Sequence, residues 1–432
     1  MCESRQDRID ALTRRFRKLL EEKFPEKGST LSEIEEMTEE IGQAIESEIE
    51  DAATKEQGRG HEGNRTACGC GGVARFVRDY VKEVVTLHGL RRIKRAYYSC
   101  ATCHHGFAPL DRMLGLDGGG TTLMVRAKIA RIAALAPFER CSLELQELCG
   151  IDVSAKTVER VAEAVGTAVG LEASSRDAAI VAGKVREPSV SPERLYVTVD
   201  GVMASVEKAW HECKVGAVYE TKVGSDGSPV ATNIEHTATF GNSEAIGDQL
   251  YALAFRRGVV RAKQTVVLGD GAPWIWNQAR DNFPEAIEIV DFFHAAEHLA
   301  QVAASWYGFG TDKAEDWLLR AKDDLLEGKL ERILRSVRAW KPTEPEALKV
   351  KRTNLGYFRR NKERMRYDHY LSQGLHIGSG VAESSCKTVV QARLKQSGMH
   401  WSQRGAEAIL QLRVRWLDDL AVNFAAYAAM PA

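Results

Sequence analysis

No stretch of this 432-residue chain approaches the roughly 18 consecutive apolar residues that a membrane helix requires. Met1 to Asp10 has no apolar core, so no secretory signal is read there. These absences lead to the expectation of a cytoplasmic protein with no membrane partner. No long internal repeat or low-complexity tract occurs. Neither sign of charge prevails: 59 basic side chains stand against 60 acidic ones, a formal net charge of −1. A small nucleic-acid-binding domain is normally more basic, so the total by itself argues against a polyanionic partner.

The distribution of charge is less even. Acids crowd residues 33 to 51, from Glu33 to Asp51, and bases crowd 349 to 366 (Lys349, Lys351, Arg352, Arg359, Arg360, Lys362, Arg364, Arg366). An asymmetric chain can average to neutral and still offer a basic face to phosphate, although a solvated helix face accounts for such a run as well. Nine cysteines in a chain of this size, without a signal, point away from a disulfide framework. Four of them fall in two pairs, Cys68/Cys70 and Cys100/Cys103, a pattern that suggests metal.

The length predicts two to four units. Residues 1 to 60 read as helical, with Leu12, Phe16, Leu19 and Leu20 at helical spacing and a second amphipathic segment after Ser32. Lys55 to Arg65 reads as a linker. In residues 66 to 110, a strand Val81 to Leu87, a His88-Gly89 turn and a strand Leu90 to Tyr98 deliver the chain to Cys100. A hairpin holding two short cysteine loops is the architecture of a zinc ribbon, too small for its own core and stabilised by Zn²⁺. In residues 121 to 185, Ser142 is expected to cap a helix through Leu148, Gly150 to end it, and Ser154 to cap a second helix through Val165. These are helix-turn-helix dimensions, which an ordinary pair of packed helices also has. The neighbouring ribbon favours DNA.

From Glu193 the period changes to two. Leu195 to Val199, Glu212 to Tyr219 and His236 to Phe240 are predicted strands, antiparallel neighbours given their short connections. A helix Ser243 to Arg256, a strand Thr265 to Leu268, a helix around Trp274 to Arg280 and a strand Ala286 to Val290 follow. This order predicts a ribonuclease-H-like mixed β-sheet core inside an α+β and α/β multidomain chain. The first part of the core is placed at 193 to 298, a helical insertion at 299 to 375, and the closing helices of the core at 376 to 432.

Two predicted strands each release an acid at their carboxyl end, where open α/β sheets place their sites: Asp200 before Gly201, and Asp270 between Gly269 and Gly271. Small neighbours let a ligand approach the backbone, though Asp-Gly is also a common turn pair. Two acids on two inner strands favour metal. A pair of Mg²⁺ (or Mn²⁺) ions about 3.5–4 Å apart needs carboxylates from more than two directions. Glu383, in the first turn of a helix whose apolar face runs Ala382, Cys386, Val389, Leu394, is a candidate third. Simple capping, or an (i, i+4) pair with Lys387, would explain Glu383 without a metal.

Taken in order, the cysteine pairs, the helix pair, "YVTVDGVMASV", "VVLGDGAPWIWN", "DFFHAAEHL" and "GSGVAESSCKTVVQARLKQSGMHWSQRGAEAILQLR" resemble bacterial insertion-sequence transposases of the ISKra-four group, within the DDE class. The resemblance runs from about Cys68 to about Trp416. It implies a catalytic core in which Asp200, Asp270 and Glu383 hold two Mg²⁺ ions. Asp291 and His294 match an Asp-x-x-His element whose His lies near the active site. Cleavage at element ends and strand transfer into target DNA are the implied reactions, with terminal inverted repeats as partners and a homodimer or larger assembly on DNA. Arg91, Arg92, Lys94 and Arg95 of the ribbon, Lys156 and Arg160 of the second helix, and Lys387, Arg393 and Lys395 of the last motif would then lie on phosphates.

One departure from the family pattern concerns zinc. Cys68-Gly-Cys70 stands where Cys-x-x-Cys is expected, which leaves His61, His104 or His105 as alternative ligands. Two other functional readings stand beside the transposase. His294-Ala-Ala-Glu297-His298 matches the inverted zincin pattern of a metallopeptidase. A domesticated descendant, binding DNA without catalysis, would keep the same motifs.

Overall fold

A computed structural model describes residues 5–24, 27–116, 119–225, 227–378 and 380–430. Two compact units divide the chain: one runs to Ala168 and takes back the residues from Asn423, and the other spans Val169–Val422. No helix among the described residues is long and apolar enough to cross a membrane.

The first unit opens with helices Arg5–Lys23 and Leu31–Glu56. Thr30 starts the second of these, ahead of the expected Ser32. Its side chain accepts the Glu33 N–H while the Glu33 carboxylate accepts the Thr30 N–H, so two orphan donors of the first turn are satisfied reciprocally. An antiparallel sheet follows, with β1 (Arg65–Ala67), β2 (Val73–Thr86), β3 (Gly89–Cys100) and β4 (Gly106–Phe107) in sequence order. β2 begins well before the expected Val81, because the chain leaves the first cysteine loop already paired to β1 and β3. Leu87 and His88 make the turn, and Gly89, at φ 105°, already pairs with Thr86. The apolar content is small: Ala74, Ala96 and Tyr98 gather around Cys68 and Cys100, and Val84, Ile93, Leu110 and Leu116 form a second cluster.

The helix pair is present, with one changed boundary. Helix Phe138–Cys149 ends at Gly150 in the left-handed region (φ 62°), and Ser154 accepts the Thr157 N–H at 3.2 Å to open helix Ala155–Val181. Ser142 is not a cap. The helix already begins at Phe138, behind Pro137, and the Ser142 hydroxyl donates to the Val153 carbonyl at 2.5 Å, tying the first helix to the turn.

The second unit holds a five-stranded mixed sheet, β5 (Arg194–Val206), β6 (Ala209–Val223), β7 (Pro229–Thr239), β8 (Gln264–Gly269) and β9 (Ile287–Val290), in the order β7-β6-β5-β8-β9. β5, β6 and β7 are antiparallel neighbours, while β8 and β9 run parallel to β5. β5 does not stop at Val199. It keeps β6 as a partner as far as Val206↔Ala209, and the turn falls at Glu207-Lys208, both with positive φ (49° and 62°). The helical residues 312–372 form no separate core. Trp317, Leu325, Leu334, Trp340 and Tyr367 join Val197, Val266, Leu268 and Ile289 in one buried cluster. After Gly380 a helix leads into a π-helical stretch, Cys386–Gln391, a local widening that occurs frequently at functional sites. The last long helix, Gln403–Asp418, is capped by Ser402, whose hydroxyl accepts the Gly405 N–H at 3.0 Å.

Candidate functional site

In the first unit the four cysteines converge. Cys68 Sγ lies 3.6 Å from Cys103 Sγ, Cys70 Sγ lies 3.7 Å from Cys100 Sγ, and all four sulfurs fall within 4.8 Å of one another. Cys-x-Cys suffices because of the turn behind it. The Cys68 N–H donates to the Gly72 carbonyl at 2.9 Å, and a Cβ on Gly72 would meet Thr102 Oγ1 at 2.7 Å and Cys100 Sγ at 3.2 Å. Glycine there lets the two loops close on each other. Backbone N–H groups of Cys103 and Thr102 pull the Cys100 thiol down to about 6. The His105 N–H acts to lower Cys103 as well, but the crowding thiols of Cys70, Cys68 and Cys100 and burial push it up to about 12. Four thiols this close ionise together when a cation such as Zn²⁺ is among them. Among the described residues the group contains none of the alternative ligands His61, His104 and His105, of which His61 packs on Phe76 and His105 on Phe107.

In the second unit the parallel ladder between β5 and β8 ends at Thr198↔Leu268, and Asp200 and Asp270 each stand two residues beyond it. The ladder between β8 and β9 ends at Gly269↔Val290, so Asp291 follows on the next strand. Asp200 Oδ1 accepts the Gly201 N–H at 2.7 Å, and Asp270 Oδ1 accepts the Ala272 N–H at 2.7 Å. Burial, and then the charge of Asp270, raise the Asp200 pKa against the opposing Gly201 N–H and nearby His294. Two carboxylates repelling each other in a half-buried crevice are a donor set that a divalent cation would relieve.

The Asp270 loop is held from behind. Tyr357 donates to the Asp270 carbonyl at 2.8 Å, and Asn361 Nδ2 donates to the Gly271 carbonyl at 3.4 Å. Gly271 has φ 99°, and a Cβ there would meet the Tyr357 ring at 2.6 Å. Sequence reasoning found neither Tyr357 nor Asn361, since no local pattern links them to a loop 87 and 90 residues away.

Glu383 is exposed and bonded to Lys387 Nζ at 2.6 Å, which lowers its pKa. Its helix meets Asp200 through Cys386, whose Sγ lies 3.8 Å from Asp200 Oδ2; burial, with the Asp200 charge, pushes this thiol up to about 12. His294 acts electrostatically on both Asp200 and Glu383. The three carboxylates are thus neighbours but are not drawn to a single point: among the described residues, the four cysteines are the group of three or more ligands gathered within 4.8 Å.

Asp291 is fully buried, and its Oδ1 accepts the His294 N–H at 2.8 Å. The Asp-x-x-His element is therefore the cap of helix Phe292–Tyr307, and it fixes where His294 emerges. His298 is engaged elsewhere, with Nδ1 2.6 Å from Asn354 Oδ1 and its ring 3.6 Å from that of Tyr357; burial lowers its pKa. His294, Glu297 and His298 do not converge as ligands of one ion.

Three of the expected phosphate contacts are committed internally. Arg91 bonds Glu50 at 2.9 Å and Ser47, largely buried Arg95 pairs with Asp111 at 3.1 Å, and Arg393 is fully buried, 5.1 Å over the Trp401 ring. Each uses a long stem and a fixed charge to tie elements together, which composition does not reveal. Arg92, Lys94, Lys156 and Lys387 pair with Glu83, Asp79, Glu159 and Glu383 but keep exposed heads. Arg160 and Lys395 are exposed, the latter 5.6 Å over Trp210.

Residues 74–423 match an uncharacterised protein family, UPF0236, and the chain belongs to that family. A relative from Streptococcus gallolyticus, described as "UPF0236 protein in vanSb 3'region", is 24% identical over 319 residues, which covers 71% of this chain and 66% of that protein.

Proposed function

We propose that this member of the UPF0236 family is a metal-dependent DNA transposase of the DDE class with a ribonuclease-H-like core. The observation that carries the reading is the level placement of Asp200 and Asp270 past the last paired residues of adjacent parallel strands. Three antiparallel strands followed by two parallel ones agree with that core. Asp200 and Asp270 fit a hard divalent cation, and Glu383 joins them by exchanging Lys387 for the metal. When bound, two Mg²⁺ ions supply activation of water or a 3′-hydroxyl and stabilisation of the leaving oxygen.

The chain's own residues hold the geometry. Tyr357 and Asn361 fix the Asp270 loop, Cys386 fills the space behind Asp200, and the Asp291 cap aims His294 toward the reacting phosphate. In the first unit the cysteine cluster folds a zinc ribbon that presents Arg92 and Lys94 to DNA. Joining of terminal-repeat DNA to a target, with Mg²⁺, tests the reading. Asp200→Asn, Asp270→Asn and Glu383→Gln should each lose at least ~100-fold in rate, about 2.7 kcal/mol of barrier. A folded variant that retains wild-type joining removes that residue from the site.

A further inference from the structure

Helix Pro345–Arg360 has two faces. One buries Asn354, Tyr357 and Phe358 and carries the Tyr357 bond to Asp270. The other exposes Lys349, Arg352, Arg359 and Arg360, which fall into one stripe at helical periodicity. None of these four makes an ion pair among the described residues. Their neighbours differ: Lys362 pairs with Glu331, Arg364 with Glu288, and Lys351 donates to the Arg338 carbonyl. The helix dipole favours cations in the last turn, which accounts for Arg359 and Arg360 but not for Lys349 and Arg352. Lys349 and Arg352, three residues apart, repel each other instead.

The stripe is about 16 Å long at 1.5 Å per residue. It continues into a cleft of about 530 Å³ beside β9, lined by Arg360, Arg364, Arg366 and His369 together with Glu288 and Glu363. Arg366 is exposed and makes no ion pair among the described residues. A row of uncompensated cations leading into a basic cleft matches a polyanion with regularly spaced charge. Duplex DNA presents one charge per roughly 1.7 Å of its axis.

We infer that Lys349, Arg352, Arg359, Arg360 and Arg366 form a track for the sugar-phosphate backbone of duplex DNA, on the same helix that holds the Asp270 loop. The choice of DNA as the polyanion rests on the proposed function. Interactions of this kind position DNA without reading its sequence, so the track suits target DNA.

The test is fluorescence anisotropy of the full zinc-loaded chain with a labelled duplex of arbitrary sequence, without added Mg²⁺, over a salt series. The variant Lys349→Ala/Arg352→Ala/Arg359→Ala/Arg360→Ala should bind about tenfold or more weakly, with a salt slope shallower by roughly 0.9 for each phosphate that is no longer neutralised. A control, Arg261→Ala/Lys263→Ala, removes two cations already paired with Glu187 and Glu193 and should stay close to wild type. If the quadruple variant melts below wild type, Arg352→Gln/Arg359→Gln carries the same test at smaller amplitude. Wild-type affinity and slope in a folded stripe variant overturn the inference and leave the proposed function standing. Normal joining by Asp200→Asn overturns the proposed function and leaves the stripe standing.

Discussion

Asp200 and Asp270 stand level on neighbouring parallel strands, each two residues beyond the last paired positions, Thr198 and Leu268. β5 continues past this point paired to β6, and no described strand joins its other edge until Val206 bridges to Trp401, so that edge is open beside β8 where the two acids lie. An open edge flanked by carboxylates concentrates negative charge where the sheet is still half-buried.

That charge has a consequence for stability. Burial and the Asp270 charge raise the Asp200 pKa above its unfolded value, so the folded state holds this proton more tightly. The group's contribution to stability is full below the unfolded range, about 4, and is lost as pH rises through the raised folded value. At pH 7 without divalent cation, Asp200→Asn should therefore melt above wild type, and the gap should narrow as pH falls toward about 4. Added Mg²⁺ should raise the wild-type melting temperature and not the variant's. Calorimetry checks both, and a variant that melts lower at pH 7 contradicts this account.

Tyr357→Phe removes the donor to the Asp270 carbonyl while keeping the ring. Leaving that acceptor unmet should cost about 1–3 kcal/mol in urea denaturation. Gly271→Ala should cost at least as much, since it strains a φ of 99° and meets the Tyr357 ring at 2.6 Å. Unchanged stability in both would show that the loop is not held from behind.

Wild type should carry one zinc per chain by elemental analysis, and Cys68→Ser and Cys100→Ser should each lose it. Chelation should abolish hydrogen-exchange protection in β2 and β3, because the small apolar clusters there cannot hold the hairpin alone. Retention of zinc by Cys68→Ser, with loss on substitution of His61 or His105, would restore the histidine ligands.

Arg393 and Lys395 lie two residues apart with opposite fates. Arg393→Ala should destabilise by about 2–4 kcal/mol, because it empties a buried site beneath Trp401. Lys395→Ala should leave stability within about 0.5 kcal/mol. Equal effects of the two on melting would contradict the burial assignment.

Much of this was legible because it is local. The Gly150 stop, the Ser154 cap, the strand-helix alternation after Ser243 and the paired cysteines are all written within a few residues. What escaped depends on partners far along the chain. Asp200-Gly201 looks like a turn, yet both residues sit in a ladder opposite Val215 and Lys214, and the actual turn uses Glu207 and Lys208, which carry no turn signature. The Arg393 and Arg95 side chains read as surface cations because burial is set by tertiary neighbours. Glu383 is read from its motif alone, and in the fold its nearest charge is Lys387.

In the proposed function Asp200, Asp270 and Glu383 share one metal site. Replacing Mg²⁺ with Fe²⁺ and adding ascorbate and peroxide generates hydroxyl radicals at the bound ion, which cut the chain beside it. Cuts should cluster near residues 200, 270 and 383, be suppressed by excess Mg²⁺ and be absent in Asp200→Asn. Cutting elsewhere, or a pattern unchanged by that substitution, would mean that the three carboxylates do not share a metal site.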